Sequence, residues 1–289
     1  MNPYALAILL GVVEGLTEFL PVSSTAHLRI VEAALGVDLA SGYWKMFSIV
    51  IQLGAILCLP IYFRKRIADF LRTFPRGHRG EKTLFTHPLT LVLIAFVVTA
   101  GPAWALTKVI GKNLESLWVM AMSLLAGGIV MWVVEALYDA RILAARTDDV
   151  EQTSLPQALW VGACQVLSAV FPGTSRSMAT IASGQIAGMT RATALEFSFL
   201  LSIPTMVTAT LYDLLKSMRH GAAGTAVGAA PVNAQEWMLL ATGFVVSFVV
   251  AYAVVAWFMR WVRRGGFVPF AIYRIVLGAG LAAWLWMRS

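Results

Sequence analysis

The chain has 289 residues, of which 59% are apolar and only 13% are charged, and its mean hydropathy is +0.76. A soluble domain carries about 25% charged residues, so this composition excludes an ordinary soluble protein and predicts a chain embedded in lipid. The net charge of +7 comes from basic residues placed between the apolar runs. Such charges set membrane orientation, and we do not expect nucleic-acid binding.

Six stretches of the chain are long and apolar enough to cross a bilayer, which takes roughly 20 residues. They are residues 43–63, 87–107, 117–138, 194–213, 237–258 and 268–287. Each is predicted to form one transmembrane helix.

Two further apolar stretches, 3–36 and 156–187, are broken near the middle by Pro21 and Pro172. Each half of such a stretch is too short to cross, so each stretch is predicted to be a re-entrant helical hairpin. The non-helical tip of such a hairpin must be buried in protein or line a wet cavity. The predicted fold is therefore all-α: a polytopic membrane protein with six transmembrane helices and two re-entrant helical hairpins.

The two broken stretches also resemble each other. The segment GVVEGLTEFLPVSST at 11–25 aligns with GACQVLSAVFPGTSR at 162–176, which pairs Pro21 with Pro172 and Ser24 with Ser175. The pattern predicts a single membrane domain, 1–289, with an inverted-topology repeat, because each half crosses the bilayer an odd number of times. Inverted repeats with broken helices place a binding site at the repeat interface.

The two predicted halves have the same composition of elements. Residues 1–138 hold the hairpin 3–36 and three spans, and residues 156–289 hold the hairpin 156–187 and three spans. Residues 139–155 are predicted to form a cytoplasmic linker between them.

Lysine and arginine counts predict the orientation, since short cytoplasmic loops carry an excess of these residues. One side of the six-span chain holds Arg64, Lys65, Arg66, Arg72, Arg76, Arg79, Lys82, Arg141, Arg146, Arg191, Arg260, Arg263 and Arg264. The other side holds Lys45, Lys108, Lys112, Lys216, Arg219 and Arg288. The first side is predicted to be cytoplasmic, so both termini lie outside and the first hairpin enters from outside.

Glu14 and Glu18 precede the first proline break and are four residues apart, so they share one helix face. Ionisable groups inside a membrane are costly and mark functional sites. Two carboxylates this close repel each other unless a cation lies between them. Oxygen ligands of this kind suit Mg²⁺ or Ca²⁺ held together with substrate phosphates, although the pair could also face an aqueous vestibule without a task.

The first tip reads PVSSTAH at 21–27. Pro21 followed by hydroxyl residues is typical of a break and a capped helix start, and free N–H groups at such a start bind phosphate oxygens. The predicted site residues here are Ser23, Ser24, Thr25 and His27. A lone histidine is often a core group, but its company of glutamates and hydroxyls favours catalysis.

The second tip reads FPGTSRS at 171–177 and repeats the break and the hydroxyl-capped start. Its predicted substrate-binding hydroxyls are Thr174, Ser175 and Ser177. Arg176 lies at this tip, and its planar fork fits a phosphate group. A structural bridge from Arg176 to Glu14 or Glu18 is the alternative.

Together these groups predict a diphosphate hydrolysis site: a cation or arginine neutralises the phosphates, helix starts orient them, and a base and a nucleophile complete the set. Because the surroundings are lipid, the substrate should carry a lipid tail. Ser24 is the simplest nucleophile, with Glu18 or His27 as base. Attack by His27 itself or by activated water stays open.

The sequence resembles the undecaprenyl-diphosphatase (bacitracin-resistance) family. The resemblance rests on EGLTEFLPVSSTAHL at 14–28 and PGTSRSMATI at 172–181, and further on GMTRATALEFSFLLSIP at 188–204 and PFAIYR at 269–274. It covers essentially the whole chain. Ala26 stands where a glycine is common in the family. Met178 stands where the family usually has glycine, so the packing behind the second tip is expected to differ here.

The resemblance implies dephosphorylation of undecaprenyl diphosphate at the outer face of the bacterial cytoplasmic membrane, with a divalent cation, to recycle the carrier lipid of cell-wall synthesis. The family's important residues fall on Glu14, Glu18, Ser24, His27, Ser175, Arg176 and Thr180. A homodimer is left open.

The main rival is a polyprenyl-phosphate flippase or transporter, because opposed hairpins in an inverted repeat are transporter architecture. A flippase would need an arginine and helix starts, but it would not need a nucleophile beside a carboxylate pair and a histidine. A dual role is left open. The ionisable groups at both tips disfavour a purely structural subunit.

Overall fold

The computed structural model describes residues 2–37, 42–78, 80–106, 116–140, 145–221 and 233–288, with the side chains of 42, 214 and 216–221 left aside. Its described part contains eleven α-helices and no strand. They are α1 (Pro3–Thr17), α2 (Ser24–Leu35), α3 (Gly42–Tyr62), α4 (Arg64–Thr73), α5 (Pro88–Ala105), α6 (Leu117–Asp139), α7 (Leu155–Val170), α8 (Arg176–Ile186), α9 (Arg191–Gly221), α10 (Ala234–Trp261) and α11 (Val268–Trp286).

Six of these helices are long and apolar enough to cross a membrane, which confirms the predicted all-α fold and its six spans by length and composition. The candidate spans are Tyr43–Tyr62, Pro88–Ala105, Leu117–Asp139, Arg191–Asp213, Ala234–Trp261 and Val268–Trp286. The starts follow local chemistry: His87 caps α5 just before Pro88, and Ser116 caps α6 by accepting from the Val119 N–H at 3.3 Å.

Some predicted features lie outside the described residues. These are the end of the second span at 107, part of the linker 139–155, and the charges Arg79, Lys108, Lys112 and Arg141, together with the side chains of Lys216 and Arg219. The orientation argument therefore uses the sequence alone at those positions.

Both proline-broken stretches form two helices joined by a short turn. α1 and α2 flank the first break and contact each other, and α7 and α8 do the same at the second break. α1 and α7 are 15 and 16 residues long, too short to cross a bilayer at about 1.5 Å per residue. A re-entrant course for both pairs stays a prediction.

The chain packs as two compact units. Unit 1 comprises Met1–Phe19, Ser24–Tyr62 and Ser202–Ala256, and unit 2 comprises Leu20–Ser23, Phe63–Leu201 and Trp257–Ser289. Each unit therefore draws segments from both halves of the sequence.

Unit 1 holds an apolar cluster that includes Leu10, Phe47, Ile51 and Leu240. Its helices approach closely at small residues, as is common for helices packed in lipid. A side chain at Gly15 would collide with the Ser247 carbonyl, and the Ser247 hydroxyl donates to the Ile51 carbonyl at 2.6 Å. These contacts join α1, α3 and α10.

In unit 2, α6 packs on α11 and α5 packs on α7. Gly162 of α7 lies against the Ala95 backbone of α5. The Thr99 hydroxyl donates to the Gly162 carbonyl at 2.8 Å and accepts from the Gln165 side-chain amide at 3.0 Å. Buried hydrogen bonds therefore fix α7, the first helix of the second broken stretch, against α5.

Candidate functional site

The first tip is the turn between α1 and α2. Glu18 forms the C-cap of α1, and α2 begins at Ser24. Between them, Ser23 is 5% exposed and has φ 75°, in the left-handed region that non-glycine residues rarely adopt. Strain of this kind persists only where the surrounding structure holds it in place, and it clusters at functional sites.

Ser24 and Glu18 meet across this turn. The Ser24 hydroxyl donates to Glu18 Oε2 at 2.5 Å. Glu18 is 7% exposed, and Ser24 is half-buried. This is the pairing that general-base activation of a serine requires: a hydroxyl in hydrogen-bond contact with a buried carboxylate.

Glu14 lies one turn before Glu18 on α1 and is 1% exposed. Neither of its carboxylate oxygens accepts a hydrogen bond from any described residue. A buried carboxylate normally has partners, because its desolvation is costly. Two buried carboxylate oxygens that accept no hydrogen bond from the described residues, with a second carboxylate four residues further on, fit the donor set of a hard divalent cation.

The remaining predicted residues of the first tip lie on the first turn of α2. Thr25 is exposed and His27 is half-buried. His27 follows Ser24 by three residues, so the two side chains lie on neighbouring positions of one helix face.

The second tip is the turn between α7 and α8. Gly173 has φ 93° and Ser175 has φ 68°, so this turn also contains a non-glycine residue in the left-handed region. Ser175 is the N-cap of α8, and its hydroxyl accepts from the Met178 N–H at 3.3 Å. The predicted hydroxyl-capped helix start is therefore confirmed here. Arg176 begins α8 and is half-buried, as is Thr174.

Two predicted hydroxyls of the second tip bond within the protein. The Ser177 hydroxyl, fully buried, donates to the Leu20 carbonyl of the first tip at 3.0 Å and lies 3.1 Å from the Ser175 hydroxyl. Thr180, 1% exposed, donates to the Arg176 carbonyl at 2.9 Å and lies 2.6 Å from the Ser198 hydroxyl. These bonds fix the first turns of α8.

The turns of the two tips, residues 20–23 and 171–175, meet on one buried cation that sequence reasoning did not assign to the site. The Arg274 guanidinium of α11 is fully buried. It donates to the Pro21 carbonyl at 3.2 Å, the Gly173 carbonyl at 3.0 Å and the Ser123 carbonyl of α6 at 3.1 Å. The available signal was an isolated arginine in an otherwise apolar span, which marks function or structure in membranes.

The backbone also pairs the tips differently from the sequence alignment. Ser23, not Ser24, shares its left-handed conformation and its place before the helix start with Ser175. One residue separates Pro21 from Ser23, whereas two separate Pro172 from Ser175. The second turn thus has one extra residue, and Ser24 and Arg176 become the first residues of matching helices.

A second polar feature missed from sequence lies around Glu135 of α6. Glu135 is fully buried. Its carboxylate accepts from Arg191 at 2.7 Å, from the Gln185 amide at 2.7 Å and from the Phe267 N–H at 3.0 Å. A buried ion pair satisfied in this way holds the ends of several helices together, and it gives Arg191 a structural task.

Asp69, His78 and Glu151 form one group within unit 2 whose possible ligand atoms lie within 4.8 Å of one another. His78 Nε2 lies 2.9 Å from Asp69 Oδ2, and this hydrogen bond raises the pKa of the exposed imidazole. Glu151 accepts from Arg66 at 3.0 Å. Because these groups pair with one another and with a cation, we assign them to an ion-pair network.

These features define a multi-pass helical membrane protein in which two broken helical stretches bring strained, polar turns together. The sequence matches the family model described as "Bacitracin resistance protein BacA" over residues 7–280. The chain therefore belongs to this family.

Relatives that match over the full length of the chain support this family membership. The chain is 65% identical over 289 residues to an undecaprenyl-diphosphatase of Koribacter versatilis, covering 100% of both chains. It is 42% identical over 287 residues to undecaprenyl-diphosphatase 2 of Paramagnetospirillum magneticum, with 98% of this chain and 99% of the relative covered. It is also 42% identical over 293 residues to an undecaprenyl-diphosphatase of Novosphingobium aromaticivorans, with 100% of each covered.

Proposed function

We propose that this chain is a phosphatase that hydrolyses undecaprenyl diphosphate to undecaprenyl phosphate and inorganic phosphate. The observation that carries the proposal is the hydrogen bond from the Ser24 hydroxyl to the buried Glu18 carboxylate at a strained turn of a membrane protein. The names of its full-length relatives supply the substrate. They give no support to the rival flippase.

In the proposed reaction, Glu18 takes the proton of Ser24 as the serine oxygen attacks the terminal phosphorus. The bond from that phosphorus to the bridging oxygen breaks, and undecaprenyl phosphate leaves. Water then cleaves the phosphoserine, which releases inorganic phosphate and restores Ser24. His27, one turn along α2, steadies or protonates the leaving phosphate.

The neutralising groups come from both tips. Glu14 and Glu18 would hold the divalent cation, Mg²⁺ or Ca²⁺, which supplies charge neutralisation for the diphosphate. Arg176 binds phosphate oxygens with its planar fork. The hydroxyls of Ser23, Thr25, Thr174 and Ser175 offer hydrogen bonds to the substrate, and Ser177 and Thr180 support that surface through their internal bonds.

We also propose that the chain is an inverted repeat with both termini and the site at the outer face of the bacterial cytoplasmic membrane. Two pairs of contacts support the repeat. Gly11 faces Val246, and Gly162 faces Ala95. A shift of 151 residues along the sequence relates Gly11 to Gly162 and Ala95 to Val246. On α6 and α11, Gly128 faces the Ala271 carbonyl and Gly278 faces the Ala121 carbonyl. Reciprocal contacts of this kind are what a two-fold relation produces.

At the outer face of the cytoplasmic membrane, the enzyme would regenerate the carrier lipid of cell-wall synthesis and confer bacitracin resistance. The direct test is phosphate release from undecaprenyl diphosphate by the purified protein in detergent. We expect release that depends on Ser24. A preparation that binds the lipid but releases no phosphate would contradict the proposed hydrolysis and return the flippase to consideration.

A further inference from the structure

Unit 2 contains an apolar groove of about 710 Å³ between α6, α7 and α8. Its volume falls in the range of roughly 300–1,000 Å³ that ligand sites occupy. Its lining combines bulky side chains, among them Trp118, Met122 and Leu167, with small ones, among them Ala126, Ala179 and Ala182.

The groove begins at the second tip. Phe171 and Thr174, two residues of that turn, are part of its lining. The neighbouring Gly173 lies against the Met120 backbone, near the start of α6. From this end the groove follows α6 to Val130, which is about 18 Å from Trp118 at 1.5 Å per residue. One end therefore adjoins the polar turn, and the rest of the lining is mostly apolar, with hydroxyls only at Ser123 and Ser183.

We propose that this groove binds the isoprenoid chain next to the diphosphate of the substrate, an inference that rests on the proposed function. A diphosphate at the second tip would leave its first isoprene units beside Thr174, at the mouth of the groove. The small alanine side chains in the lining leave room for the methyl branches that distinguish an isoprenoid from a straight acyl chain.

Met178 contributes to both the groove and its packing against α6. It lines the groove and packs its terminal methyl against Gly127 of α6, where a side chain on the glycine would collide with it. The site has a methionine where the resemblance led us to expect glycine, and the thioether fills space that glycine would leave empty.

The groove works through fit, not through the hydrophobic effect. Lipid tails are as apolar as the groove, so moving an isoprenoid from bilayer to protein removes no apolar surface from water. The gain comes from dispersion contacts and from an aligned tail that holds the phosphorus in place for attack. We therefore expect kcat/KM to depend on the length of the isoprenoid tail that the groove holds.

The test fills the groove and compares two substrates that share the diphosphate. Ala126 is exposed and lines the groove, so Ala126→Trp should occupy it. We expect kcat/KM for undecaprenyl diphosphate, relative to that for dimethylallyl diphosphate with its single isoprene unit, to fall about tenfold or more. The matched control is Ala279→Trp on the exposed face of α11, outside the groove, which should leave the ratio unchanged.

An unchanged ratio in Ala126→Trp, or an equal fall for both substrates, would overturn the groove proposal. If the unmodified protein releases phosphate from neither substrate, the proposed function fails instead. Thermal unfolding in detergent identifies a variant that does not fold.

A second measurement uses the unmodified protein. Cys164 lines the groove and is half-buried, whereas Cys58 is fully buried. A non-hydrolysable methylene-bridged polyprenyl diphosphate should slow modification of Cys164 by methyl methanethiosulfonate, and inorganic pyrophosphate should not. Equal labelling rates with and without the lipid analogue would show bulk lipid or detergent in the groove and overturn the proposal.

Discussion

At the scale of single residues, the site depends on how Ser24 and His27 divide the work. Ser24→Ala removes the attacking oxygen, so kcat should fall by roughly three orders of magnitude or more while the substrate still binds. His27→Ala should lose a comparable amount. The double variant should lose little more, because groups that act as a unit are not additive. Steady-state phosphate release, with lipid binding measured separately, checks all three.

A different pattern would reassign the nucleophile. If Ser24→Ala keeps near-normal turnover while His27→Ala is inactive, Ser24 only helps to orient the turn. Attack then belongs to His27 or to water, and trapping a phosphohistidine distinguishes these two.

Glu14 tests the metal assignment. Its buried carboxylate oxygens accept no hydrogen bond from the described residues, so Glu14→Gln should weaken cation binding by about tenfold or more without exposing the site. Calorimetric titration of Mg²⁺ and of Ca²⁺ into the purified protein measures this without reference to activity. Chelator should abolish phosphate release, and added cation should restore it. Full activity in excess chelator would leave Glu14 as a structural group.

Arg176 tests phosphate recognition. Arg176→Lys keeps the charge but loses the two-pronged geometry, so we expect kcat/KM to fall by about a hundredfold or more, in line with the strength of bidentate pairs. The matched control is Arg264→Lys in an exposed loop, which should behave as the unmodified protein. Normal kcat/KM in Arg176→Lys, or loss of the folded state, would contradict the phosphate role.

At the scale of elements, Arg274 connects α11 to both tips and to α6. Arg274→Met keeps an unbranched apolar stem, although a shorter one, and removes the donors to three carbonyls, which costs about 1–3 kcal/mol for each buried group left unsatisfied. We expect a lower Tm in detergent and a lower kcat, since both turns lose their common partner. Arg274→Lys should recover part of the Tm.

The control for this element is Arg264→Met, which removes an exposed arginine and should not change Tm. Unchanged Tm and kcat in Arg274→Met would mean that the two turns hold each other through contacts such as Ser177 with Leu20.

Whether a feature of these elements could be predicted depends on how far apart in the sequence its interacting residues lie. Proline breaks and hydroxyl caps act within a few residues, so the turns at Pro21 and Pro172 and the cap at Ser175 could be predicted from sequence. The Arg274 clamp joins residues more than 100 positions apart, and the ion pair of Glu135 with Arg191 is also long-range. The packed fold determines which groups become hydrogen-bond or ion-pair partners. A single sequence therefore indicates only that a buried charge needs a partner, not which residue supplies it.

Local alignment also misplaced the register of the second tip. Pairing Ser24 with Ser175 follows letters, whereas the backbone pairs Ser23 with Ser175 through their shared positive φ. A left-handed serine has no reliable sequence signal, because glycine or asparagine is the usual choice for that conformation.

At the scale of the whole molecule, the bilayer explains why the spans were predictable. Length and apolarity alone select the six long helices, since every span must satisfy its backbone internally. The ends were less predictable: α9 runs over Arg191–Gly221, beyond the predicted 194–213. Polar residues beyond the apolar core extend a helix without changing the hydropathy signal.

The orientation is the whole-molecule property that the lysine and arginine counts predict. Arg66 bonds to Asp149, Glu151 and Glu196, and Arg191 pairs with Glu135. These ion pairs do not weaken the argument, because the rule counts lysine and arginine and acidic residues contribute little to it.

The matching prediction is that Arg76 lies in the cytoplasm and Met287 outside. In a chain whose Cys58 and Cys164 are replaced by alanine, we place one cysteine at a time, as Arg76→Cys in the exposed segment after α4 or as Met287→Cys at the exposed end of α11. A membrane-impermeant maleimide should label Met287→Cys in intact cells, and it should label Arg76→Cys only after the membrane is permeabilised. Labelling after permeabilisation shows that both thiols are reactive. The reverse pattern would overturn the orientation. One crossing more or fewer would place both positions on the same side of the membrane, so equal labelling in intact cells would overturn the six-span topology.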